Sequence, residues 1–251
     1  MARMRVVVVG LMLIAVAGAA LADVATPRPK WTTVRMVAEE VNVTLGEQKV
    51  EVEATFEMQN TGEAAKVEMG YPVGQFETAL NGFAVTADKE PVSDIRSQQG
   101  GATPSSPRPR GGAGGGGNAG ATGAAAEPYR FEGPYKEWKV FSVPFGANEK
   151  KTIRVSYSVE PARVTDAEKG ALLHYSYTMK TGATWKGKIE TGVVRVKLNG
   201  VSSDQLVRVT PNGCAKTDGG KVLTWTMKDF KPTDDIEITF RPAAPKSASA
   251  R

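Results

Sequence analysis

The sequence predicts an all-β chain, and three observations carry that expectation. Apolar residues recur at every second position over many short segments, the pattern of strands with one buried face. Gly, Pro and Asn punctuate those segments where the chain has to turn. No apolar stripe at helical spacing runs beyond two turns, and the nearest candidate is the short stretch Asp166 to Ala171.

Before the first strand comes a segment of another kind. Arg3 and Arg5 open it, an apolar run from Val6 to Ala17 follows, and Ala20-Leu21-Ala22 ends it. A positive start, an apolar middle of roughly 7–15 residues and a small-x-small end make a secretory leader. The apolar run falls short of the about 20 residues that a membrane span needs. The leader holds no cysteine to carry a lipid. Cleavage is therefore expected between Ala22 and Asp23, releasing a soluble chain of 229 residues without a stable membrane span. That chain is expected to be exported, either periplasmic or extracellular.

The first strands are read from residues 31–98. Val41, Val43 and Leu45 alternate with Asn42 and Thr44, and Gly46-Glu47 turns the chain. Val50, Val52, Ala54, Phe56 and Met58 alternate with Lys49, Glu51, Glu53, Thr55, Glu57 and Gln59. Asn60-Thr61-Gly62 makes the next turn, through residues that tolerate positive φ. Val67, Met69 and Tyr71 continue the pattern up to Pro72, and Phe83 with Val85 suggests one strand more before Pro91. An antiparallel meander with an apolar inner face and a glutamate-rich outer face is expected.

Residues 99–127 interrupt this pattern. Between 100 and 126, ten residues are Gly, seven Ala and three Pro, with no aromatic. Such a segment buries too little surface to offset its ordering entropy and is expected to be a flexible linker or loop.

Strand patterns resume in residues 128–243. Trp138, Val140 and Ser142 alternate with Lys139, Phe141 and Val143; Ile153, Val155, Tyr157 and Val159 follow. Leu173, Tyr175, Tyr177 and Met179 come next, then Val194, Val196 and Leu198. Val207 with Val209, then Leu223, Trp225 and Met227, and finally Ile236, Ile238 and Phe240 complete the series. Short strands at this spacing suit a sandwich of antiparallel sheets. The preferred division is two antiparallel β-sandwich-like modules, 31–98 and 128–243, with the disordered Gly/Ala-rich segment between them and a tail at 244–251. A single larger sandwich carrying that segment as an inserted loop is the alternative.

The formal charge of +5 hints at nucleic acid, but its distribution does not. Residues 31–98 hold 5 basic and 12 acidic groups, net −7, and residues 127–243 hold 19 and 14, net +5. No basic cluster interleaves with aromatics as a nucleic-acid binder requires, so no nucleic-acid partner is expected. Cys214 is the only cysteine, which leaves no internal disulfide and makes burial the source of stability.

Candidate chemistry is sparse. His174 is the only histidine, so a Ser-His-Asp arrangement or a Cys214–His174 dyad would have to run through it. It lies on the strand face opposite Leu173 and Tyr175 and reads as a surface or half-buried side chain. One histidine and one cysteine do not make the usual zinc sites, and no metal or cofactor is expected. Glu39-Glu40 and Asp234-Asp235 are adjacent carboxylates that point to opposite faces of a strand and read as solvated charges or strand-entry residues. Asp166 with Glu168, and Asp218 near Gly219-Gly220, lack the loop pattern of a dedicated calcium site. Asn42-Val43-Thr44 is a formal glycosylation sequon inside a strand. Trp138 and Trp225 read as core, and Trp31 carries no clear signal. Trp185, followed by Lys186 in a Thr-Gly-Ala-Thr-Trp-Lys-Gly turn, either caps a sheet end or offers a ligand or partner contact.

Four segments carry a resemblance. Residues 177–187 (Tyr-Thr-Met-Lys-Thr-Gly-Ala-Thr-Trp-Lys-Gly) resemble those of a group of secreted bacterial proteins of unknown function that pair a β-sandwich with a second β domain. Asn60-Thr61-Gly62 with Met69-Gly70-Tyr71-Pro72, Trp138 to Phe141 with Val155 to Tyr157, and Trp225 to Ile236 fit the same group. The first half is also similar to the vault and inter-alpha-trypsin-inhibitor type domain, through its strands and its Gln-Asn and Tyr-Pro pairs. The resemblance implies a fold and brings no catalytic residue. The expected function is that of a non-enzymatic envelope interaction or structural module, with an envelope protein or glycan as partner. The alternative is a polysaccharide hydrolase whose carboxylates the sequence does not identify.

Overall fold

The computed structural model describes residues 33–73, 80–99, 131, 135 and 137–244, with residues 21–22 as backbone only. In chain order the strands are β1 (Leu21–Ala22), β2 (Val34–Leu45), β3 (Val50–Asn60), β4 (Ala65–Val73), β5 (Asn81–Ala87), β6 (Glu90–Pro91) and β7 (Arg96–Gln99). They continue as β8 (Glu137–Phe145), β9 (Lys150–Val159), β10 (Ala162–Asp166), β11 (Gly170–Thr178) and β12 (Ile189–Leu198). The last four are β13 (Leu206–Thr210), β14 (Ala215–Thr217), β15 (Val222–Phe230) and β16 (Ile236–Phe240). The described residues contain no α-helix, only short 3-10 turns, and the chain is all-β. The stretch from Asp166 to Ala171 is a hairpin turn between β10 and β11. Asp166 Oδ1 accepts the N–H groups of Glu168 and Lys169, each at 2.9 Å, and so closes a turn in place of a helix.

An eight-stranded sheet runs β14-β15-β12-β2-β3-β9-β5-β6. A five-stranded sheet runs β1-β11-β16-β13 with β10 also on β11, and a three-stranded sheet runs β4-β8-β7. One apolar cluster draws on all three: Val41, Phe56 and Val194 from the first, Tyr175 and Ile238 from the second, Met69 and Phe141 from the third. The large sheet thus packs one face against the two smaller sheets, and each large apolar side chain buried there contributes about 1.5–3 kcal/mol.

The sheets do not follow the expected division into two modules. β2 lies parallel to β12, with Val41 opposite Val194, and β3 lies antiparallel to β9, with Ala54 opposite Val155. Strands of 31–98 and 128–243 share one sheet and one core, the arrangement of a single larger sandwich, and the β2–β12 pair makes that sheet mixed. Alternation specifies a strand's buried face but leaves both its ladder edges to be satisfied by any strand of matching register.

The Gly-rich segment is likewise placed by its flanks. β7 pairs with β8, Gln99 opposite Glu137, so the chain leaves and rejoins the three-stranded sheet at neighbouring positions. The expected linker or loop thus falls between two paired strands; residues 100–130 lie outside the described residues, as do 245–251 of the expected tail.

β4 does not extend the meander; it leaves the large sheet to pair with β8, Met69 opposite Phe141. The fully buried Asn60 fixes that departure. Its Nδ2 donates to the carbonyls of Glu63 (2.6 Å) and Gly146 (2.8 Å), and its Oδ1 accepts from Gly62 N–H (3.2 Å) and the Thr33 hydroxyl (2.5 Å). Asn60 serves the turn by these bonds, since neither it nor Gly62 adopts positive φ. Trp138 is core, as expected, at 2% exposed, but in a second apolar cluster with Phe131, ring centroids 5.0 Å apart, and Val140, while Phe141, Val143 and Phe145 of β8 face the main cluster. Both faces of β8 are apolar, so parity does not tell which one meets the main core.

Candidate functional site

Period two on β2, β3, β9 and β5 builds a polar outer face on the eight-stranded sheet. One row crosses it: Arg195, Asn42, Glu53, Ser156 and Ala84 occupy successive strands in register. The neighbouring row holds Lys197, Thr44, Glu51, Ser158 and Asn81. Glutamates stand on β3, whereas β9 and β5 offer small side chains, Ser156, Ser158, Gly82 and Ala84. Long beside short leaves a groove.

The groove consists of two depressions of about 460 and 370 Å³ that share Glu53 and Ser156. Asn42, Thr44, Lys49, Glu51 and Asn81 line the larger, and Thr55, Thr86, Lys89 and Arg154 line the smaller. Glu51 is engaged by Lys49, Nζ to Oε1 at 2.6 Å. Glu53 and Arg154 are both exposed and form no hydrogen bond or ion pair among the described residues. Hydroxyls, amides, free carboxylate and free guanidinium therefore face one surface, a donor and acceptor set suited to a polar, hydroxyl-bearing ligand or a peptide.

The residues singled out from sequence lie elsewhere. Trp185 is 2% exposed and belongs to the main apolar cluster, so its ring is not presented to a ligand at a loop tip. The 3-10 turn before it (Lys180–Thr184) brings it there, with Trp185 N–H bonded to the Gly182 carbonyl at 3.3 Å. Asp235 holds that turn, its Oδ1 accepting the N–H groups of Met179 (2.9 Å) and Lys180 (3.1 Å), and is not a solvated charge; its neighbour Asp234 is exposed. Lys186 is exposed and reaches the Thr61 hydroxyl at 3.4 Å. Ala22 lies opposite Thr178 in a short parallel pair, while Asp23 and Trp31 fall outside the described residues.

His174 lies on the face opposite Leu173 and Tyr175, as expected, but is buried at 1% exposure. Its Nδ1 is 3.0 Å from the Thr239 hydroxyl, and burial holds its pKa below the usual histidine range. Cys214 is half-buried, and Trp225 is core with its indole N–H on the Pro211 carbonyl at 2.9 Å. Among the described residues no group of three or more His, Cys, Asp and Glu is set to hold a metal ion.

Glu39 is the residue that sequence reading missed. It is 2% exposed between the sheets, where the Tyr177 hydroxyl donates to its Oε1 at 3.0 Å. Desolvation pushes its pKa up to about 7 against the smaller, opposing effect of that bond. The signal was present: counting back by two from Leu45, Val43 and Val41 lands on Glu39.

No family model matches the chain, and no curated protein matches it in sequence. Solved structures do match. A protein from Legionella pneumophila, described as a proposed nutrient binding protein, superimposes with a TM-score of 0.61 at 13% identity, over 89% of this chain and 70% of that one. The likeness is one of fold. An M1 zinc metallopeptidase from Deinococcus radiodurans gives 0.41 at 12% identity, over 86% of this chain and 43% of that one. Yeast LTA4 hydrolase gives 0.45 at 8%, over 85% and 30%. The chain spans less than half the length of either hydrolase.

Proposed function

We propose that this chain is an exported, non-enzymatic recognition module of the cell envelope, periplasmic or extracellular, which binds a glycan or an envelope protein in the groove across β2, β3, β9 and β5. The observation that carries the reading is the groove itself: a floor of small residues beside a glutamate and an arginine, Glu53 and Arg154, that form no ion pair among the described residues. The leader supports export, and the description of the Legionella protein as nutrient-binding is in keeping with a binding role. The resemblance to secreted β-sandwich proteins points the same way, and the charge distribution gives no basis for a nucleic-acid partner.

A hydrolase reading has one observation in its favour. Glu51 and Glu53 stand on the same face of β3, about 6–7 Å apart along the strand, within the carboxyl spacings of glycosidases. Both are exposed and Glu51 is paired with Lys49, so neither has the burial that keeps a general acid protonated. Recognition is the better fit.

The test fills the groove. Ser156→Arg with Glu53→Lys projects two long cations over the floor without touching the core. Titration of defined envelope polysaccharides and envelope extract fractions should give saturable binding to the parent chain and a loss of about tenfold or more in the variant, roughly one good charged contact. Equal retention by both proteins would remove the groove from consideration, and turnover of polysaccharide abolished by Glu53→Gln would favour the hydrolase.

A further inference from the structure

We propose that Asn212-Gly213 is a self-modifying site, where the folded protein loses ammonia and converts to aspartate and isoaspartate. The same dipeptide at 81–82 and 199–200 is held back by strand pairing and packing.

The chemistry needs no cofactor. The glycine backbone nitrogen attacks the asparagine side-chain carbonyl carbon and forms a C–N bond. The amide nitrogen takes the glycine N–H proton and leaves as ammonia. Water then opens the cyclic imide at either carbonyl. One opening gives aspartate; the other gives isoaspartate, whose main chain is a methylene longer. Either product replaces a neutral amide by a carboxylate. Glycine is the most permissive following residue, because it has no side chain to hinder the attack and the widest choice of backbone conformation. The fold must supply an exposed amide and an asparagine backbone free to rotate.

The chain holds Asn-Gly at 81–82, 199–200 and 212–213. All three asparagines are exposed. Their glycines have φ of +64°, +72° and +92°, each with open space where a Cβ would stand. Exposure and glycine sterics therefore do not separate the three sites.

Backbone restraint does. Asn81 begins β5 and lies opposite Ser158 of β9, so the ladder holds it extended. Asn199 donates its N–H to the Leu45 carbonyl at 2.8 Å, and Leu198 donates to the Lys221 carbonyl at 2.8 Å. Leu198 and Val201, on either side of that dipeptide, are each 5% exposed and belong to the main cluster. Rotating either asparagine breaks a ladder bond or disturbs the core.

Asn212-Gly213 has neither restraint. It lies between the end of β13 at Thr210 and the start of β14 at Ala215, outside any ladder. Among the described residues, neither Asn212 nor Gly213 forms a hydrogen bond. Pro211, just before, is anchored through its carbonyl by the Trp225 indole N–H at 2.9 Å. The extra methylene of isoaspartate is therefore passed forward, toward β14. That strand is an edge of the large sheet, held to β15 only through Ala215, Lys216 and Thr217. Its ladder loosens as the site converts.

The test ages the full chain in neutral buffer, with and without urea, and follows the three sites by peptide mapping and mass spectrometry. Similar rates are expected at all three in urea. In the folded protein Asn212 should stay within about threefold of its urea rate, while Asn81 and Asn199 slow by about tenfold or more. Hydrogen exchange at residues 215–217 should quicken in the aged protein. It should stay unchanged in aged Asn212→Gln, whose longer side chain cyclises far more slowly. Protection of Asn212 equal to that of the other two, or faster conversion at either of them in the fold, would overturn the assignment. Unchanged exchange at 215–217 after conversion would overturn the effect on β14.

Discussion

The inner and outer faces of the eight-stranded sheet carry the same residue side by side, and the two glutamates differ in almost every respect. Glu39 points inward, between Gly192 of β12 and Phe56 of β3 in register, and its Oε2 has no hydrogen-bond partner among the described residues. Glu40 points outward and accepts from Arg195 at 2.5 Å. A bulge at Val37 sets this phase: Met36 lies opposite Met58 and Ala38 opposite Glu57, so one residue is left over and the inward series resumes at Glu39. One position along a strand thus separates a carboxyl held toward its neutral form by desolvation from a solvated ion pair. Packing and protonation belong to the inner face, and recognition chemistry to the outer.

The widest separation between the faces should come from neighbours on β3. Phe56→Ala opens a cavity under the inner face and should cost about 3–5 kcal/mol in urea unfolding, whereas Thr55→Ala on the outer face should stay within about 0.5 kcal/mol. Similar losses for both would break the comparison at its root.

Next comes the pH dependence of Glu39. Its carboxyl titrates near 4.5 when unfolded and is pushed up to about 7 in the fold, so the native state holds the proton more tightly. Stability from this group is complete below about pH 4.5 and is lost as pH rises toward 7, by about 3 kcal/mol in all. Taking the difference between wild type and Glu39→Gln cancels the other titrating groups and should reveal that slope. A difference that stays flat from pH 4 to 8 would mean that Glu39 does not carry its proton into the fold.

Gly192 sharpens the same contrast on a smaller scale. A Cβ there would sit 2.6 Å from the Phe230 ring, so Gly192→Ala should destabilise by about 1–3 kcal/mol through overpacking. Arg195→Ala, which removes the outer partner of Glu40, should change stability by about 0–1 kcal/mol, and less in high salt. Thermal unfolding of both variants at two salt concentrations separates these outcomes.

Much of this architecture is legible along the chain. Alternation places Val41, Val52, Phe56, Val155 and Ile238 on buried faces, and the outer glutamates of β3 fall where parity puts them. Parity also reaches Glu39, but a charged side chain near the start of a strand resembles a solvated one, and only the packing of the two sheets buries it. On β8 parity fails, since Trp138 and Val140 on one face and Phe141 and Val143 on the other are equally apolar. Trp185 was ambiguous because a turn residue buries its ring only when the fold closes over it. The groove left no local trace: Glu53, Ser156 and Ala84 lie far apart in sequence and meet only through the pairing of β3 with β9 and β9 with β5.

By itself, then, the sequence determined the all-β class, the positions of most strands and turns, and most of the buried faces. These follow from the two-residue period of an extended backbone and from the φ preferences of turn residues, which act within a few residues. Tertiary structure decided which strands became neighbours. It set β2 beside β12, paired β7 with β8 across the Gly-rich segment, placed Glu39 beneath Tyr177, and opened a groove beside Glu53. Each of these depends on contacts between distant segments, and burial or exposure of a polar group has no energetic meaning until such contacts exist.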